Sequence, residues 1–115
     1  MTAIFVPKKA GTSIPLWIIL PSILAGLFLL DILTTQLILN LGGMELNPMM
    51  SGVVNSPFLH MLLKIGILIL VIAVAIIAEA RVKGSGTALY AVLIVMYTVV
   101  ILNNASVILP HLLAG

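Results

Sequence analysis

Three long apolar runs, separated by short polar breaks, organise the chain. They extend from Leu16 to Leu41, from Pro57 to Ala80 and from Thr87 to Leu109. Each reaches the ~20 residues that an α-helix needs to cross the hydrocarbon core of a bilayer. The pattern therefore predicts three transmembrane helices over 16–41, 57–80 and 87–109. Between the second and third runs lies a tight Arg81-Val82-Lys83-Gly84-Ser85-Gly86 turn. Ser13-Ile14-Pro15 and Ser56-Pro57 open the first two runs with N-cap residue types and a proline close behind, where its missing N–H does no harm. Asn47-Pro48 repeats that signal inside the first loop and predicts a short helix over 48–54, interfacial or re-entrant. The fold class expected is an all-α membrane protein, with residues 1–115 forming a single transmembrane domain.

Composition strengthens this reading. Of 115 residues, 63% are hydrophobic and 7% charged, against a charged share of about a quarter in ordinary soluble domains. A soluble fold of this size could not cover so much apolar surface, so lipid is the expected solvent. The first run is longer than the 7–15 residues typical of a signal-peptide core, so it is expected to persist as a span. The absence of cysteine rules out thiolate metal sites, disulfides and cysteine nucleophiles. No basic patch is large enough to suggest nucleic acid.

The few charges are informative through their positions. Lys8 and Lys9 precede the first run, and Arg81 and Lys83 lie in the second loop. With three spans these segments fall on the same side, and the positive-inside rule makes that side cytoplasmic. The expectation is a multi-pass protein of the cell membrane with its N-terminus in the cytoplasm and its C-terminus outside. Trp17 fits an interfacial anchor near the cytoplasmic start of the first span.

On that orientation the polar residues inside the spans gather toward the outer leaflet. Asp31 is roughly 15 Å deep, Lys64 roughly 10 Å, and Asn103 and Asn104 roughly 8 Å. Thr34 and Thr35 lie one turn outward from Asp31, and the loop that closes this side carries Asn40, Glu45 and Asn47. A lone charge at mid-membrane costs on the order of 2.5–3.5 kcal/mol even on the lenient insertion scale. Lys64 is the only Lys or Arg within the predicted spans, which makes it the natural partner of Asp31 or, if the loop folds inward, of Glu45. Snorkelling is open to the long lysine stem but not to the short aspartate. Spacing agrees with convergence: Asp31 and Thr35 share a helical face, as do His60 and Lys64, while Tyr90, Tyr97 and Asn104 form a stripe at intervals of seven. The candidate polar-network or ligand-binding residues are thus Asp31, Thr34, Thr35, Glu45, Asn47, Lys64, Asn103 and Asn104.

Taken singly, the threonines and asparagines are sufficiently explained as interhelical hydrogen-bonding groups. Asp31 and Lys64 are different, because ionisable groups deep in a span mark functional sites by default. Met44, Met49, Met50 and Met61 cluster near the first loop, but methionine is common apolar filler. His60 and His111 have no second histidine one turn away, and no metal or other cofactor is expected. No nucleophile elbow, P-loop or dinucleotide turn occurs, so no catalytic residues are assigned and an enzyme is not expected.

Asp31-Ile32-Leu33-Thr34-Thr35, followed by Glu45-Leu46-Asn47-Pro48, resembles the D-x-x-T-T and E-x-N-P pattern of an uncharacterised family of short prokaryotic three-span membrane proteins, a domain of unknown function. The resemblance runs from about Leu27 to Leu109. It implies the fold, and it implies motif roles for Asp31, Thr34, Thr35, Glu45, Asn47 and Pro48. It implies no activity.

Two functional readings follow. Three helices enclose little volume, which favours an oligomer-forming or accessory membrane subunit whose outer polar cluster fixes helix packing. Its partners would be the bilayer, copies of itself or other membrane subunits, with Ala73, Ala75 and Ala78 offering close approach. The alternative is a transporter, channel or ligand-binding protein with Asp31, Lys64 and Glu45 as its site, against which stands an inner half that is almost wholly aliphatic.

Overall fold

The structure is a computed structural model and describes residues 13–44 and 48–114. Glu45 and Asn47 of the proposed cluster, and Lys8 and Lys9 of the N-terminal tail, lie outside the described residues. Four helices occur in the order α1 (Leu16–Asn40), α2 (Pro48–Val54), α3 (Pro57–Arg81) and α4 (Ser85–Ala114), with no strand among the described residues. The fold is all-α. Helices α1, α3 and α4 are each long and apolar enough to cross a membrane, and α2 is the short helix of the first loop.

The helix boundaries follow local chemistry. Ser56 caps α3 with its hydroxyl, which accepts from the Leu59 N–H at 3.3 Å, and Pro57 fills the first turn. At α1 the expected cap is absent. The N-cap is Pro15 and no side chain caps it, so Ser13 lies outside the helix. The third span is longer than expected at both ends, beginning at Ser85 and running past Pro110 to Ala114. A proline removes one N–H donor, and an isolated loss of this kind is tolerated in apolar surroundings when nearby groups re-satisfy the backbone. The carbonyl that lacks its helical donor is that of Ser106, and in the same turn the His111 ring nitrogen Nδ1 lies 3.0 Å from the neighbouring Val107 carbonyl.

The turn between α3 and α4 is held by Glu79. Its carboxylate accepts from the Gly84 N–H at 2.7 Å and from the Gly86 N–H at 3.0 Å. An acidic group at the N-terminus of α4 satisfies backbone donors that no helical carbonyl can reach. Gly84 has φ +90°, a conformation that favours glycine. Gly86 is needed for a different reason, since a Cβ there would stand 2.8 Å from the Ala75 carbonyl oxygen. The two helices consequently start their antiparallel run in close contact.

Leu24, Phe28, Val71, Ala75 and Tyr90 form the buried core, flanked by Leu20, Ile67, Leu68, Leu89, Leu93, Ile94 and Tyr97. It occupies the half of the bundle nearer the α3–α4 turn. Ala75 is buried within the chain, whereas Ala73 is exposed. The other half, toward α2, is held together by different means. Val54 is almost wholly buried, and its carbonyl accepts from the Gln36 side chain at 2.6 Å, which ties the end of α2 to α1.

Candidate functional site

Asp31 lies on α1, about 13 Å along the helix from its Asn40 end. It is buried, and so are Thr35, His60 and Lys64. The one-turn spacings account for this grouping: Thr35 stacks over Asp31 on α1, and His60 and Lys64 stack on the facing side of α3. The Lys64 ammonium stands 3.0 Å from Asp31 Oδ2. On the other carboxylate oxygen, Oδ1, the Thr35 hydroxyl donates at 3.3 Å. His60 Nε2 comes to 3.6 Å from Oδ2. Asp31 thus has an ammonium at one carboxylate oxygen and a hydroxyl donor at the other, the pairing that a carboxylate buried away from water requires.

Lys64 has further contacts on α4. Its Nζ is 3.3 Å from the Tyr97 hydroxyl and 4.9 Å from the centre of the Tyr97 ring. The Phe28 ring is 5.6 Å away and packs edge-on against Tyr97, with ring centres 4.6 Å apart. An ammonium over aromatic faces gains most where water is excluded. The lysine stem therefore points into the bundle rather than snorkelling to an interface.

A second set of bonds lies one turn toward α2. The Asn104 amide donates to the Thr34 hydroxyl at 2.8 Å, joining α4 to α1. The Thr34 hydroxyl in turn donates to the Leu30 carbonyl at 2.7 Å. Asn103, next in sequence to Asn104, faces away from this set and is exposed. Sequence reasoning grouped the two asparagines, but adjacent residues on a helix point about 100° apart, and it is Asn104 that bonds Thr34. It also missed His60 as a neighbour of Asp31, although the spacing of four from Lys64 was the available signal, and it missed the Tyr97 hydroxyl and Gln36.

Two clefts meet at Asp31 and Thr35. One, of about 560 Å³, opens between α3 and α4, with Asp31, Thr35, His60, Lys64 and Tyr97 at its floor and aliphatic residues on its walls. The other, of about 650 Å³, runs between α1 and α4 from Asp31 and Thr35 past Asn103 and Asn104 to Gly43 and Met44 at the α2 end. Beyond the pair, in the opposite direction, lies the close-packed core. No group of three or more metal-ligating residues occurs among the described residues.

The model of the family described as Domain of unknown function (DUF5658) matches residues 22–110. The chain belongs to this family. The DUF5658 match takes in the whole of α3, most of α1 and α4, and every residue of the Asp31 cluster. No curated protein and no solved structure matches the chain.

Proposed function

We propose that this small membrane protein is an oligomer-forming or accessory subunit, in which the Asp31 cluster fixes the helix packing within each copy and α4 carries the contact between copies. The observation that supports it is the placement of Asn103. It lies roughly 16 Å from the Ala114 end of α4, exposed on a helix of which only 6% of the spanning window is buried. An amide exposed along a membrane-spanning helix gains about 1–2 kcal/mol by hydrogen bonding across a helix interface. A second copy offers the same amide on the same face, which is the self-complementary arrangement that a two-fold dimer requires.

Mass measurement of the complex in mild detergents and in nanodiscs tests this reading. Wild-type protein is expected as an oligomer, and Asn103→Leu is expected to shift it toward monomer. A wild-type monomer under all of those conditions would remove the proposal.

A second reading is favoured by the two clefts that meet at Asp31, one of which is also lined by Lys64. An ion pair lying against unfilled space serves a ligand-binding, channel or transport role better than a purely structural one.

A further inference from the structure

The geometry points to Asp31 as a proton-binding site reached from the α2 end of the bundle alone, with Lys64 as the charge that the incoming proton displaces. This rests on the second reading above, that the Asp31–Lys64 pair is a site.

Three observations carry it. The first is access. The cleft between α1 and α4 leads from Gly43 and Met44, past the amides of Asn103 and Asn104, to Asp31 and Thr35. Side-chain amides at those positions offer water both donors and acceptors along the way. The second is closure. On the other side of the pair, Leu24, Phe28, Val71, Ala75 and Tyr90 are packed together and buried, and a close-packed layer of aliphatic and aromatic side chains leaves water no room to pass. A carboxylate wet from one face and sealed from the other exchanges protons with one compartment.

The third observation concerns what happens to Lys64. Protonation forms an O–H bond on Asp31 with a proton from bulk water and removes the negative charge that balanced the ammonium. Lys64 keeps its three N–H bonds, and the cluster goes from neutral to a single positive charge if His60 is neutral. In most buried pairs the loss of one partner strands the other. Here the ammonium already touches the Tyr97 hydroxyl at 3.3 Å and lies over the Tyr97 and Phe28 rings at 4.9 and 5.6 Å. Those contacts remain when Asp31 is neutral, so the lysine has a second resting place. The groups facing Asp31 are Lys64 and His60 from α3 and Thr35 on its own helix, with Tyr97 of α4 reaching it through Lys64. His60 is the competing proton acceptor, since its Nε2 is 3.6 Å from the carboxylate.

The sequence makes the experiment clean, because Asp31 is its sole aspartate and it contains no cysteine. Wild-type protein carrying ¹³C at the aspartate carboxyl is reconstituted in oriented vesicles and followed by infrared difference spectroscopy while the pH is lowered on one side at a time. The expected result is an isotope-shifted band of protonated carboxyl when the α2 side is acidified, and none when the opposite side is. Loss of the band in Asp31→Asn is a second check, though the labelled wild type decides the matter without any variant. In parallel, Val100→Cys, at a position lining both clefts, is expected to react with a small water-soluble thiol reagent added on the α2 side, whereas Ala75→Cys in the core is not. If Val100→Cys stays unlabelled, the site is closed to water and both the site reading and this inference fall. If it is labelled but acidification yields an imidazolium signal from His60, or no carboxyl band, the proton-binding assignment alone is overturned.

Discussion

The Asn104 amide donates a 2.8 Å hydrogen bond to the Thr34 hydroxyl and so joins positions 70 residues apart in the chain. α4 packs on α1 more extensively than on the sequence-adjacent α3. In hydrocarbon there is no hydrophobic force to hold two apolar helices together, so polar bonds and close packing must do so. Thr34 and Asn104 supply the polar part of that contact, and the aliphatic residues around them supply the rest.

The contribution of this bond can be isolated. Thr34→Val and Asn104→Leu are each expected to lower resistance to denaturation in mixed detergent by about 0.6–1.7 kcal/mol, the range found for hydrogen bonds between membrane helices. The double variant should lose less than the sum, because both changes remove the same bond. Strict additivity would show that the two residues do not interact in the folded protein.

The ion pair predicts a sharper form of non-additivity. Removing one partner of a buried pair typically costs about 3–5 kcal/mol, because the other is left charged and unpaired, whereas replacing both with apolar or neutral groups is far better tolerated. Lys64→Ala alone should therefore destabilise strongly, Asp31→Ala less so because the ammonium keeps its Tyr97 and Phe28 contacts, and Asp31→Asn with Lys64→Met should recover a large part of the loss. Unfolding of the purified variants in detergent measures it. Equal stability of Lys64→Ala and wild type would mean that the pair contributes nothing.

Much of this was legible in the residues, for identifiable reasons. Apolar run length determines spans, so α1 and α3 were found nearly to the residue, and Asn47-Pro48 was enough to locate α2. Depth along a helix is also readable, since each residue adds a fixed rise. Asp31 and Lys64 could thus be assigned to one level and paired on grounds of cost. Rotation about the helix axis is harder. It was readable where two polar residues lay four apart, as for Asp31 and Thr35, and lost where they were adjacent, as for Asn103 and Asn104. What the linear pattern could not give was which aromatic on α4 meets Lys64, or that Glu79 folds over a turn to cap the following helix. Those depend on how three cylinders are set against one another.

Glu79 and Gly86 can be tested together as the corner of the α3–α4 hairpin. Glu79→Ala leaves the Gly84 and Gly86 N–H groups without their acceptor, so amide exchange at both glycines is expected to accelerate while exchange in the middle of α4 is unchanged. Gly86→Ala places a methyl 2.8 Å from the Ala75 carbonyl oxygen and 3.0 Å from Glu79 Oε1. Forcing in such a group typically costs about 1–3 kcal/mol through backbone shift. The variant should lower thermal stability, and an unchanged melting point would show that the helices are not in close contact there.

The orientation of the bundle decides which compartment the α2 end faces. Arg81 and Lys83 sit at the α3–α4 turn, and Lys8 and Lys9 precede α1; with three spans, both segments lie on one side, while the loop holding α2 and the C-terminal end lie on the other without a Lys or Arg. From the bias of cytoplasmic loops toward Lys and Arg, the expected arrangement has the α3–α4 turn in the cytoplasm and α2, the mouth of the polar cleft and the C-terminus outside. Paired reporter fusions, one active only in the cytoplasm and one only outside, check this at residues 1 and 115. The expected pattern is a cytoplasmic signal at the N-terminus and an external one at the C-terminus. Replacing Arg81 and Lys83 with Asn and adding two lysines after residue 115 should weaken or invert it, because the bias would then be divided between the two sides. A cytoplasmic C-terminus in the wild type would reverse the assignment, and Asp31 would then be reached from the cytoplasm rather than from outside.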